Sequence, residues 1–208
     1  MNRQEIKAKA KEFAFKNKWN IFKPFLIFFG IYFVVGFILG FCGFDSESTV
    51  SIVITSILDI ALLPASIGYI YYIIKLINGE ALEVMDAFKS KYKFFGLILL
   101  SCIMVSIFGI LWSLLLIVPG IIYMFKMAMV NYVLAEVEDN NIKYKEVLNT
   151  SEELMDGYKW DYFVFNLSFF GWILLIVLTC GIATIWAYPY MTTAQVMYYQ
   201  ELKKIKNK

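Results

Sequence analysis

Six apolar stretches, 21–41, 50–77, 94–118, 121–135, 162–179 and 182–199, occupy most of the chain. Their lengths scatter about the ~20 residues that a helix needs to cross a bilayer. This pattern constrains the fold more than any other feature. Of the 208 residues, 60% are apolar and 17% charged, whereas a soluble domain runs nearer half and a quarter. A core of this size could not hide that much apolar surface from water. Lipid is the second solvent that the composition requires. A soluble enzyme, a nucleic-acid reader and a disordered tail are excluded.

The connections between stretches set the expected topology. Lys and Arg number seven in the N-terminal arm: Arg3, Lys7, Lys9, Lys11, Lys16, Lys18 and Lys23. The second-to-third connection carries Lys75, Lys89, Lys91 and Lys93, the fourth-to-fifth Lys143, Lys145 and Lys159, and the tail Lys203, Lys204, Lys206 and Lys208. Segments 42–49, 118–120 and 180–181 carry none, and the remaining cation, Lys126, lies inside the fourth stretch. Since cations stay on the cytoplasmic side, the expectation is both termini inside and three short hairpins outside. Pro119-Gly120 and Cys180-Gly181 are expected to make the second and third turns. The first apolar stretch is too long for a cleaved signal peptide, and no small-residue cleavage site follows it, so the chain is expected to stay in the membrane.

Before each hairpin comes a stretch of helical periodicity. The first places Ile6, Ala10, Phe13 and Ala14 on one face. The second groups Ala81, Val84, Met85, Phe88 and Tyr92, and the third Tyr144, Val147, Leu148, Ser151, Leu154, Met155 and Tyr158. Each closes on a lysine followed by an aromatic residue: Lys18-Trp19, Lys91-Tyr92 and Lys159-Trp160. The reading is one membrane domain over 1–208 built of three tandem units, 1–77, 78–137 and 138–208. In each, an amphipathic helix lies in the headgroup plane. Its aromatic anchors at the interface and its lysine reaches the anionic inner leaflet. The fold class expected is all-α, with six transmembrane helices as three hairpins.

The segments LWSLLLIVPGII, SEELMDGYKWDYFVFNLSFFGW and YPYMTTAQVMYYQEL resemble the bacterial family called domain of unknown function 975, most specifically from Trp112 to Leu202. The resemblance implies a multipass protein of the bacterial cell (inner) membrane. The family is distantly similar to the membrane portion of some glycerophosphodiester phosphodiesterases, which is not their catalytic domain, so no catalytic residue carries over.

The absence of histidine removes Ser-His and Cys-His nucleophilic sites and His-ligated zinc. Cys42, Cys102 and Cys180 are too scattered for a thiolate metal site. No metal, cofactor or catalytic site is therefore expected. Ionisable groups inside a membrane cost about 2.5–3.5 kcal/mol each on insertion scales, which singles out Asp59 and Lys126. By residue count both lie at a similar depth, so an Asp59–Lys126 ion pair is the sharp expectation. The alternatives are a wetted Asp59 and a snorkelling Lys126. With Asn131, Asn166 and Gln195 they make a candidate polar ligand-binding cluster, although such amides commonly serve as hydrogen bonds between helices. Gly36-x-x-x-Gly40 is a close-approach motif.

For function, a non-enzymatic accessory, scaffold or regulatory membrane protein is the first expectation. It would contact lipids and a membrane-protein partner or further copies of itself, and no nucleic acid. A transporter or lipid- or peptide-handling module would instead need a polar cavity reaching the five clustered residues. A lipid-modifying enzyme would need convergent polar groups, for which Asp59, Glu136, Asp161 and tyrosines are the raw material.

Overall fold

The computed structural model describes residues 2–206, so Lys208, counted among the tail cations, lies outside the described residues. Eleven helices follow one another, and no strand occurs among the described residues. They are α1 (Arg3–Lys16), α2 (Lys18–Phe41), α3 (Thr49–Ile77), α4 (Val84–Tyr92), α5 (Phe95–Leu115) and α6 (Ile117–Lys126). There follow α7 (Val130–Glu136), α8 (Tyr144–Met155), α9 (Lys159–Leu167), α10 (Phe170–Leu178) and α11 (Thr184–Lys206).

Five segments are long and apolar enough to cross a membrane: Lys18–Phe41, Thr49–Ile77, Phe95–Leu114, Val118–Glu136 and Lys159–Leu178. They coincide with the first five apolar stretches of the sequence. The sixth stretch falls in α11, which does not meet that standard, because Thr192, Thr193, Gln195, Gln200, Glu201 and three lysines dilute its apolar content. The fourth and fifth segments are broken helices. The turn Met127–Met129 separates α6 from α7, and Ser168-Phe169 separates α9 from α10.

The reversal between α5 and α6 differs from the expected Pro-Gly turn. The extended residue is Leu116 (φ −160°, ψ 141°), while Pro119 and Gly120 lie in the first turn of α6. Proline costs nothing there, since its missing N–H has no partner in a first turn. Gly120 serves close approach: a Cβ added to it would lie 2.5 Å from Ser113 Oγ and 2.9 Å from Ser113 Cα. At the other expected turn, Cys180 and Gly181 both take positive φ (50° and 91°).

The short helices α1, α4 and α8 form a collar at one end. Helix α4 lies against α3, the helix before it, and α8 lies against α7, α5 and α6 and also against α11. Helix α1 packs along α11 and touches α2. The packing of α1 on α11 thus joins elements from opposite ends of the described residues. Its contact faces are small or apolar: Ile6, Ala10 and Ala14 in α1, Ala87 and Phe88 in α4, Val147, Ser151, Leu154 and Met155 in α8. These faces meet protein, where the sequence suggested headgroups. In α4 the face is also rotated from the expected one, leaving Met85 and Tyr92 exposed. The cause is Gly68 of α3, whose absent side chain admits the Ala87 backbone; a Cβ there would lie 2.7 Å from Ala87 O.

Candidate functional site

The polar groups of the molecule concentrate where the C-terminal ends of α3, α7 and α11 meet inside the collar. Lys91 of α4 is 2% exposed, and its Nζ donates to the carbonyl of Val137, the C-cap of α7, at 2.9 Å. The same ammonium lies 4.3 Å from the centre of the Tyr71 ring. A cation beside a helix C-terminus and over an aromatic face is doubly favoured. Burial nevertheless lowers its pKa to about 8, with Lys75 adding to the fall and Glu138 and Glu136 opposing it. Alongside, Glu136 of α7 accepts from Tyr199 Oη at 2.6 Å and pairs with Lys203, both of α11. Gln200 Nε2 donates to Asn78 Oδ1 at 3.1 Å, and Lys75 pairs with Glu80 at 2.8 Å. Asp161 of α9 joins α1 to α11: Arg3 Nε is 3.3 Å away, and Tyr198 Oη donates to it at 3.1 Å.

A second constellation sits at the break between α6 and α7. Backbone groups freed at membrane depth must find protein partners. Ser151 of α8, fully buried, donates to the Lys126 carbonyl at 2.8 Å and accepts from the Met129 N–H at 3.2 Å. The next residue, Glu152, pairs with the Lys126 ammonium. One turn of α8 therefore holds the broken helix by backbone and by charge.

These partners correct the expected Asp59–Lys126 pair. Lys126 is taken by Glu152, and Asp59 accepts a hydrogen bond from the hydroxyl of Tyr32 in α2. Residue counting gave depth, but which face each residue occupies is set by packing. Of the remaining cluster, Asn131 is exposed. Asn166 and Gln195 do meet: Tyr132 Oη donates to Gln195 Oε1 at 2.9 Å, Gln195 Nε2 to Asn166 Oδ1 at 3.4 Å, and Asn166 Nδ2 to Tyr162 O at 2.9 Å. Apart from the Asn166–Gln195 pair, the five residues thus fall into separate places.

The lysine–aromatic anchors also diverge. Trp19 and Trp160 are exposed. Lys18 lies 5.2 Å from the Trp19 ring and Lys159 is 3.9 Å from Asp156. Tyr92 reaches back to donate to Ala61 O at 3.0 Å. Lys91 departs from the expectation altogether, being buried where a headgroup contact was expected. Sequence reasoning missed the bonds made by Ser151, Glu152, Glu136 and Lys203. The signal for the first two was a serine on an apolar helix face next to an acid at its border.

Clefts open beside these networks. One of about 250 Å3 lies between α1 and α11, lined among others by Glu5, Lys9, Ile77 and Glu201. Another of about 640 Å3 lies between α8 and α11, with Glu152, Glu153, Lys203 and Lys206. Of the five clustered residues, Lys126 lines a smaller one of about 190 Å3 with Trp112, Pro119 and Tyr123. No group of three or more Cys, Asp or Glu among the described residues is placed to hold a metal.

Residues 114–206, from the end of α5 through α11, match the model of the family described as Protein of unknown function (DUF975). The match supports the family resemblance read from the sequence. No curated protein and no solved structure matches the chain.

Proposed function

We propose that the chain is an accessory, scaffold or regulatory protein of the bacterial cell membrane rather than an enzyme, anchored by six spans of which α11 is the last. In this reading both termini are cytoplasmic, the collar of α1, α4 and α8 lies at the inner face, and three related units make up the bundle. Positive-inside partition of the lysines supports the orientation. The observation that carries the functional reading is the fate of the intramembrane amides. Asn166 and Gln195 spend their hydrogen bonds on Tyr132, Tyr162 and each other. The Tyr132 ring stacks on Tyr199 at 5.4 Å between centroids. Polar groups used this way tie helices together, and leave surface as the means of action.

Native mass spectrometry of the protein, gently extracted from its own membrane, tests this. A second polypeptide at fixed stoichiometry is the expected result and names the system served. A lone chain or homo-oligomer that retains one specific lipid or small molecule would replace the reading with a handling role.

A further inference from the structure

Asp59 lies ten residues into α3, and Tyr32 nine residues before the end of α2. At ~1.5 Å per residue both are about 14–15 Å from the loop that joins the two helices, deep in the hydrocarbon of a spanning hairpin. Both are exposed on the molecular surface, Tyr32 by 40%. The Tyr32 hydroxyl supplies one hydrogen bond to the carboxyl group. An aspartate has roughly four acceptor positions, so its remaining capacity faces outward. Among the described residues no Lys or Arg pairs with it, since Lys126 is held by Glu152.

The surface around the pair is open. Gly36 and Gly40 lie one and two turns further along α2, on the Tyr32 side. A Cβ built on either meets nothing within 4 Å. Intramembrane acids characteristically pair with a cation or another polar group, and open glycine surface lets a second backbone come close.

We infer that the face formed by Tyr32 and Asp59 docks a transmembrane helix of another protein, and that this helix presents a lysine or arginine to Asp59 at mid-bilayer depth. The inference rests on the accessory reading and specifies the partner's chemistry. A second copy of the chain fits less well, because the cation it would bring at such depth, Lys126, is already engaged.

The test reconstitutes the full chain in phosphatidylcholine–phosphatidylglycerol vesicles. Association is followed by energy transfer to a labelled polyleucine transmembrane peptide carrying one central lysine, or leucine in its place. The lysine peptide should associate about tenfold more tightly, the scale of one or two interhelical polar contacts. Asp59→Asn should abolish the difference and Asp59→Glu should retain it, with unfolding temperatures compared to show that both variants fold. Equal association of the two peptides, or a lysine advantage that survives Asp59→Asn, overturns the proposal. Extraction from the native membrane separates this inference from its premise. A polypeptide that co-purifies with the wild type but not with Asp59→Asn supports both. One that co-purifies equally with Asp59→Asn overturns the docking site and leaves the accessory reading in place.

Discussion

Lys91 shows how a single residue can carry a pH dependence into the collar. Its folded-state pKa is lowered to about 8 by burial, while a lysine in an unfolded chain titrates near ~10.4. Between those values the unfolded state holds more protons, so this residue makes stability rise with pH across that window and adds no slope below it. Groups facing the ammonium are Tyr71, Phe94, Lys75, Glu136 and Glu138. The purified protein should therefore gain more thermal stability between pH 7.5 and 9.5 than Lys91→Met does, as read by unfolding temperature. Identical slopes in the two proteins would sink the assignment. Ser151 offers a test without titration. Ser151→Ala leaves the Lys126 carbonyl and Met129 N–H unpaired at a buried break and should cost about 1–3 kcal/mol. An unchanged denaturation midpoint would mean that other groups satisfy them. Both residues stood in plain view in the sequence. Lys91 was misread as a headgroup contact because an isolated amphipathic pattern does not reveal whether lipid or protein covers its face.

Among the elements, the long apolar helices were the most legible, since lipid imposes length and composition directly on the chain. The breaks after Lys126 and after Leu167 were not legible. No glycine or proline marks them, and the Ser151 hydroxyl that satisfies the first lies more than twenty residues away in sequence. The rotation of α4 was hidden for a similar reason, because it answers to Gly68 on another helix. That close approach makes a sharp prediction. Gly68→Ala should push α4 off α3 and destabilise the protein by about 1–3 kcal/mol, the usual cost of overpacking. Raised proteolysis or hydrogen exchange confined to residues 84–92 would report it. Exchange unchanged in α4 would show that the helix absorbs the methyl in place.

At the scale of the whole molecule, the packing of α1 on α11 could not be read from either segment alone. Sequence periodicity marks the stretches that become α1, α4 and α8, but the partner of each helix is a matter of packing. The closure of α1 on α11 can be checked in intact membranes. Lys9 and Glu201 line the same cleft. Lys9→Cys with Glu201→Cys, in a chain whose native cysteines are replaced by serine, should link efficiently with a short bismaleimide. Lys9→Cys paired with Lys89→Cys should not. The reverse result would overturn the packing of α1 on α11.

The packing of α1 on α11 sets a timetable for synthesis. When α4 leaves the ribosome, α3, the helix that covers it, has already been made. The cover of α1 is α11, the last helix in the chain, some 180 residues later. At ~5–20 residues per second, the face of Ile6, Ala10 and Ala14 waits roughly 10–40 s for its partner. In the orientation proposed above, the basic flank of α1 would give that helix somewhere to wait, on the anionic inner surface of the membrane, until α11 arrives to cover it.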